Sequence, residues 1–134
     1  MPKHSTIVFV CEHGAAKSIL AAAYFNEMAG SARLDIEAVA RGTNPDSALS
    51  EQVIKGLAKD GLQPTESAPR KLAFEDAQSA HRIIGFCELP PEYQEPALVE
   101  QWNGIPAVSE NYDEARDAII EHLNDLLQNL RSSQ

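Results

Sequence analysis

Thr6-Ile7-Val8-Phe9-Val10 is a continuous apolar, largely β-branched run that ends on Cys11-Glu12-His13-Gly14-Ala15-Ala16-Lys17-Ser18. Such a run suits a strand covered on both faces, as in a parallel sheet. The alanine-rich segment from Ser18 to Ala29 is predicted to be a helix, closed by Gly30. Its small residues let it lie close to the sheet. A strand, a slim polar loop and a helix in immediate succession commit the chain to an α/β arrangement at its first turn.

The rest of the chain keeps that alternation. Leu34, Ile36, Ala38 and Ala40 alternate with Asp35, Glu37 and Val39, as a second strand would. Gly42-Thr43-Asn44-Pro45 is a turn, with Asn44 and Pro45 expected at an N-cap and a first helical position. Leu49, Val53 and Leu57, with Ile54 beside them, mark a helix ending at Gly61. Arg70 to Ala77 is expected to form a short helix, and Arg82 to Phe86 a third strand with Cys87 at its end. Glu88 to Pro96 and Asn103 to Glu110 are read as loops around a short strand at Ala97 to Trp102. Ala115, Ile119, Leu123, Leu126 and Leu130 mark a long amphipathic final helix. The expected fold is a three-layer α/β/α sandwich with a parallel sheet, formed by residues 1–134 as one domain. In such sheets ligands bind beyond the carboxyl ends of the strands, where Cys11 and Cys87 both fall.

Charge narrows the function. The formal net charge is −9, from 20 acidic against 11 basic residues. No basic face for nucleic acid is expected on such a chain. Any phosphate site must therefore generate positive potential locally. The late carboxylates Glu110, Asp113, Glu114, Asp117, Glu121 and Asp125 are read as a solvated helix face. Met1 to Ser5 lacks the pattern of a signal peptide, and Ile19 to Phe25 is far short of a membrane span. A cytoplasmic location without membrane partners is expected. The two cysteines have neither a disulfide framework nor metal-ligand spacing, and His4, His81 and His122 are scattered, so no metal and no cofactor are expected.

The loop itself predicts an oxyanion cradle. Gly14 opens backbone conformations closed to other residues, and Ala15 and Ala16 keep the loop slim. Successive N–H groups can then point inward and add to the positive end of the following helix. That field favours thiolate over thiol at Cys11, Ser18 can donate to the sulfur, and Lys17 adds a cation. Cys11, Lys17 and Ser18 are the candidate catalytic residues. Glu12, His13, Gly14, Ala15, Ala16, Lys17 and Ser18 are the candidate oxyanion binders, with Glu12 and His13 serving through their N–H groups. A nucleotide-binding G-x-x-x-x-G-K-S loop is the rival reading, but Cys11 and Ala16 stand where its glycines must be.

Val8-Phe9-Val10-Cys11, five further residues, a cation and Ser18 resemble the low-molecular-weight protein tyrosine phosphatases and their relatives, the thioredoxin-coupled arsenate reductases. The likeness extends through residues 38–45, Ile83-Ile84-Gly85-Phe86-Cys87, Trp102, Ile105-Pro106 and Arg116-Asp117-Ala118-Ile119. It implies a four-stranded parallel sheet and a nucleophilic cysteine at Cys11. It also implies phosphate, arsenate or a phosphorylated substrate as ligand, with an external thiol reductant as a further partner.

Three positions depart from the family pattern. Lys17 replaces an arginine, exchanging a planar fork for a point charge. Ile105-Pro106 fills the slot of the family's Asp-Pro, whose aspartate protonates the leaving oxygen; Glu110, Asp113, Glu88 and His13 are candidate substitutes. Cys87 matches the first relay cysteine of the reductases and is the candidate redox partner of Cys11, whereas Gln94 stands where the second would be. The expectation is a phosphatase or arsenate reductase of weak or altered activity. A phosphoanion-binding module without turnover is the alternative, and a phosphocysteine carrier is a more distant one.

Overall fold

The structure, a computed structural model, describes residues 5–93 and 99–132. Four strands form one parallel sheet in the order β2-β1-β3-β4: β1 (Ser5–Cys11), β2 (Ile36–Gly42), β3 (Arg82–Gly85) and β4 (Val99–Gln101). The helices are α1 (Lys17–Ser31), α2 (Glu51–Lys59), α3 (Phe74–Ser79) and α4 (Tyr112–Ser132). No helix among the described residues is long and apolar enough to cross a membrane.

β1 is central and covered on both sides. Alternate side chains of a strand point to opposite faces. Ile7 and Phe9 pack with α1, α2 and α4, whereas Val8 and Val10 pack with Leu72, Ala77 and Leu89. The register pairs Cys11 with Gly42 on β2 and Val10 with Gly85 on β3. The strand order reverses direction at β1, so the gap above the β1–β3 pair is the switch point at which such sheets bind ligands. Phe9 there contacts Phe25, Phe86 and Trp102, and Trp102 stacks on His122 at 4.8 Å.

α1 ends later than expected. Gly30 lies inside the helix, and Arg33, with φ 59°, takes the left-handed position. Arg33 N–H donates to Gly30 O and Leu34 N–H to Ala29 O, the paired closure that ends many helices. Asn26 reaches from α1 to the outer edge of β2, donating to Ala38 O at 3.1 Å and accepting from Ala38 N at 2.7 Å. An edge backbone that would otherwise be open is satisfied there.

The starts of α2 and α3 also differ from the sequence expectation. Asn44 does not cap α2; Ser50 does, its Oγ accepting from Val53 N at 3.4 Å. Residues 43–50 stay irregular because the N–H groups of Thr43, Asn44, Asp46 and Ser50 are spent on the Cys11–Ala15 loop. Arg70 to Leu72 is extended rather than helical, since Gly42 donates to Arg70 O and accepts from Leu72 N. α3 therefore starts only at Phe74. α4 follows its predicted stripe, with Ala115, Ile119, Leu123, Leu126 and Leu130 all buried. The first residues of the strand expected at Ala97 to Trp102 lie outside the described residues, as does Gln94.

The end of β2 is anchored by charge. Arg41, 8% exposed, donates to Ala40 O at 2.8 Å and pairs with Asp76 at 3.2 Å and Glu66 at 3.5 Å. Asp76 also accepts from Ala73 N at 2.9 Å, which fixes the entry to α3. Elsewhere, the Tyr24 hydroxyl on α1 donates to Asp60 after α2, and Arg116 on α4 approaches the same carboxylate at 3.6 Å.

Candidate functional site

β1 delivers Cys11 to the floor of a cavity of about 520 Å³. Cys11 is 8% exposed, and its Sγ lies 3.1 Å from Ser18 Oγ, which is fully buried on the first turn of α1. The expected serine–sulfur contact is therefore present. Cys11, Glu12, His13, Ala15, Ala16 and Lys17 line the cavity. Gly14 does not; it is buried behind the loop, with φ 62°.

The loop's peptide orientation follows from its neighbours. Thr43 N donates to Cys11 O, Asn44 N to Glu12 O, Asp46 N to His13 O and Ser50 N to Ala15 O. In a trans peptide the carbonyl and the next N–H point in opposite directions. These bonds therefore turn the N–H groups of Glu12, His13, Gly14 and Ala16 away from residues 43–50. Among the described residues, no backbone carbonyl accepts from the N–H groups of residues 12–18. α1 begins without a side-chain cap and without an acidic residue in its first turn, so its positive end is not offset locally. Free donors and a helix start without a first-turn acid at one place are the features from which anion sites are built.

Two glycines permit this construction. A Cβ on Gly14 would come within 3.0 Å of the Gly42 backbone, and one on Gly42 within 2.7 Å of Gly14 N. The loop thus rests directly on the end of β2.

The walls were less visible in the sequence. Asp46, Ala48, Leu49 and Ser50 form one side, and Ala107, Val108 and Ser109 another, with Phe86 and Cys87 between β1 and β4. No periodicity marks these irregular segments. Glu12 and His13 are exposed, as expected, yet their side chains are engaged: His13 Nε2 lies 3.0 Å from Glu12 Oε2, and Nδ1 3.1 Å from Asp46 Oδ1. Of the candidate acids, only His13 lines the cavity; Glu88, Glu110 and Asp113 do not. Ile105 is buried in the core below.

Cys87 faces the same cavity as Cys11 and is half-buried. Burial pushes its thiol up, Thr43 opposes that through a side-chain hydrogen bond, and the Glu12 carboxylate pushes it further up while the Lys17 cation opposes it. The described residues hold no group of His, Cys, Asp and Glu fit to bind a metal ion.

Comparison with solved structures places this architecture among known folds. The thioredoxin-dependent arsenate reductase of Corynebacterium glutamicum superposes with a TM-score of 0.76 at 21% identity, over 97% of this chain. This chain spans 63% of that protein's length. A low molecular weight phosphotyrosine phosphatase from Vibrio cholerae gives 0.80 at 15% identity, over 96% of this chain and 98% of that one. The arsenate reductase of Archaeoglobus fulgidus gives 0.67 at 26% identity, over 91% of this chain and 98% of that one. No curated protein matches the sequence. The family model described as low molecular weight phosphotyrosine protein phosphatase matches residues 6–92, which contain β1, the Cys11 loop, β2 and β3. The chain belongs to the low molecular weight phosphotyrosine protein phosphatase family.

Proposed function

We propose that the protein is a cysteine-dependent phosphomonoesterase in which the loop from Cys11 to Ser18 binds the phosphoryl group and Cys11 attacks it. The observation that carries this reading is the Cys11 sulfur, 3.1 Å from Ser18 Oγ, in a cavity lined by a loop whose N–H groups serve no backbone carbonyl among the described residues. Ser18 steadies the sulfur both as attacking group and as leaving group. Loop N–H groups and Lys17 stabilise the charge that builds on the phosphoryl oxygens. Lys17 offers no bidentate fork, so turnover is slow compared with an arginine-bearing loop. Hydrolysis of an aryl phosphate by wild type and by Cys11→Ser tests the reading: it stands if the substitution abolishes turnover and fails if both proteins are equally active. Phosphate that binds without turnover would mark the protein as a binding module instead.

The position of Cys87 favours a second reading, arsenate reduction. Cys11 Sγ would bond to arsenic as one As–O bond breaks and that oxygen leaves as water, and Cys87 would then attack Cys11 Sγ. The S–As electron pair would leave with arsenic as arsenite, and a Cys11–Cys87 disulfide would form. An external thiol reductant would restore both thiols. Arsenate-dependent appearance of that disulfide by peptide mapping is the discriminating result.

A further inference from the structure

Cleavage of a phosphate ester leaves an alkoxide or phenoxide, and protonating it in the transition state is worth roughly 10²–10⁴ in rate. The loop after β4 offers no such proton. Ile105 is core, and the part of the loop that reaches the cavity is Ala107, Val108 and Ser109. Besides the two cysteines and Lys17, the titratable side chains lining the cavity among the described residues are Glu12, His13 and Asp46.

These three residues form a chain with the imidazole in the middle. Nε2 meets Glu12 Oε2 at 3.0 Å and Nδ1 meets Asp46 Oδ1 at 3.1 Å. Each ring nitrogen thus faces a carboxylate oxygen, the acceptor that a ring N–H needs. The ring is half exposed, which leaves it free to exchange Glu12 for a ligand atom.

We propose that His13 is the general acid of the reaction, with Asp46 as its positioning residue. The proposal rests on the phosphomonoesterase reading. Cys11 Sγ forms a bond to phosphorus as the ester P–O bond breaks, and the departing oxygen takes the Nε2 proton. Water then attacks phosphorus, returns its proton to Nε2, and the P–S bond breaks with its electron pair going back to Cys11. The net change is ester plus water to alcohol plus phosphate. Asp46 keeps hold of Nδ1–H throughout, so the ring presents Nε2.

The test is leaving-group dependence. Dinitrophenyl phosphate releases a stable anion that needs no proton, whereas phenyl phosphate needs one. His13→Asn and His13→Gln are expected to lose roughly 100-fold in kcat/KM, which reports the phosphoryl-transfer step without the later hydrolysis, on phenyl phosphate and less than about threefold on dinitrophenyl phosphate. Asp46→Asn shows the same bias, smaller in size. Equal losses on both esters, or no loss on either, in the His13 variants overturn the proposal while leaving the phosphomonoesterase reading intact. A wild-type protein inactive on both esters, or a Cys11→Ser protein as active as wild type, overturns both.

Discussion

Gly14 and Gly42 touch backbone to backbone: a Cβ on either would lie 2.7 to 3.0 Å from the other's main-chain atoms. The contact joins the Cys11–Ser18 loop to the last residue of β2, and it sets where the loop's N–H groups stand. Alanine at either position must push the two segments apart. Gly14→Ala adds a left-handed φ to the crowding. Each variant is expected to lose about 1–3 kcal/mol of stability. Phosphate binding, followed by titration, should weaken more than thermal stability does; unchanged phosphate affinity in Gly42→Ala would contradict this.

Lys17→Arg should raise activity. The side chain begins α1 and lines the cavity. A guanidinium there can bond two phosphoryl oxygens at once, and a gain of about tenfold in kcat/KM corresponds to about 1.4 kcal/mol of transition-state binding. Steady-state kinetics on an aryl phosphate measure it.

Ile105→Asp should not restore an acid. Ile105 is 8% exposed and packs in the main core rather than on the cavity wall. A carboxyl there exchanges apolar contacts for a buried polar group, at a cost of about 2–5 kcal/mol. Denaturant unfolding should show that loss, with no gain on phenyl phosphate.

Arg41→Met should be among the most destabilising substitutions outside the loop. It leaves the largely buried Asp76 carboxylate without its cation and Glu66 with only the exposed Arg70 at 3.7 Å. Removing one partner of a buried ion pair costs about 3–5 kcal/mol. Urea unfolding reads the loss.

Stability should decline at alkaline pH in a way that Cys87→Ala reduces. Burial pushes the Cys87 thiol up in the folded protein. As pH rises, the unfolded chain releases its proton first, so it binds fewer protons than the native state and stability falls. The contribution is complete below the ordinary thiol range, about 8.5, and is lost as pH climbs through the folded value. Tyr24 and Tyr112 are pushed up by burial as well, so they add to the decline with the same sign and persist in the Cys87→Ala protein. Thermal melts from neutral to alkaline pH provide the check.

The sheet, α1, α4 and the cysteine loop were legible because each is local. A β-branched run, an alanine-rich helix, the Ala115-to-Leu130 stripe and a contiguous octapeptide all announce themselves within a few residues. The misplaced start of α2 shows the limit. Asn44-Pro45 is a good local cap, but the neighbouring N–H groups serve carbonyls more than thirty residues earlier in the chain. The extended stretch at Arg70 to Leu72 was lost in the same way, to Gly42. Arg41, Glu66 and Asp76, or Glu12, His13 and Asp46, meet only once the strands are in register.

Thr43, Asn44, Asp46 and Ser50 spend their N–H groups on the loop's carbonyls, so the loop cannot loosen without breaking those bonds. Loop and flanking segment thus open as one cooperative unit. An oxyanion that binds only the closed form stabilises that unit by mass action. Exchange of these amides with deuterated solvent should then slow in step with oxyanion concentration, which makes the segment after β2 a spectroscopic gauge of occupancy at Cys11.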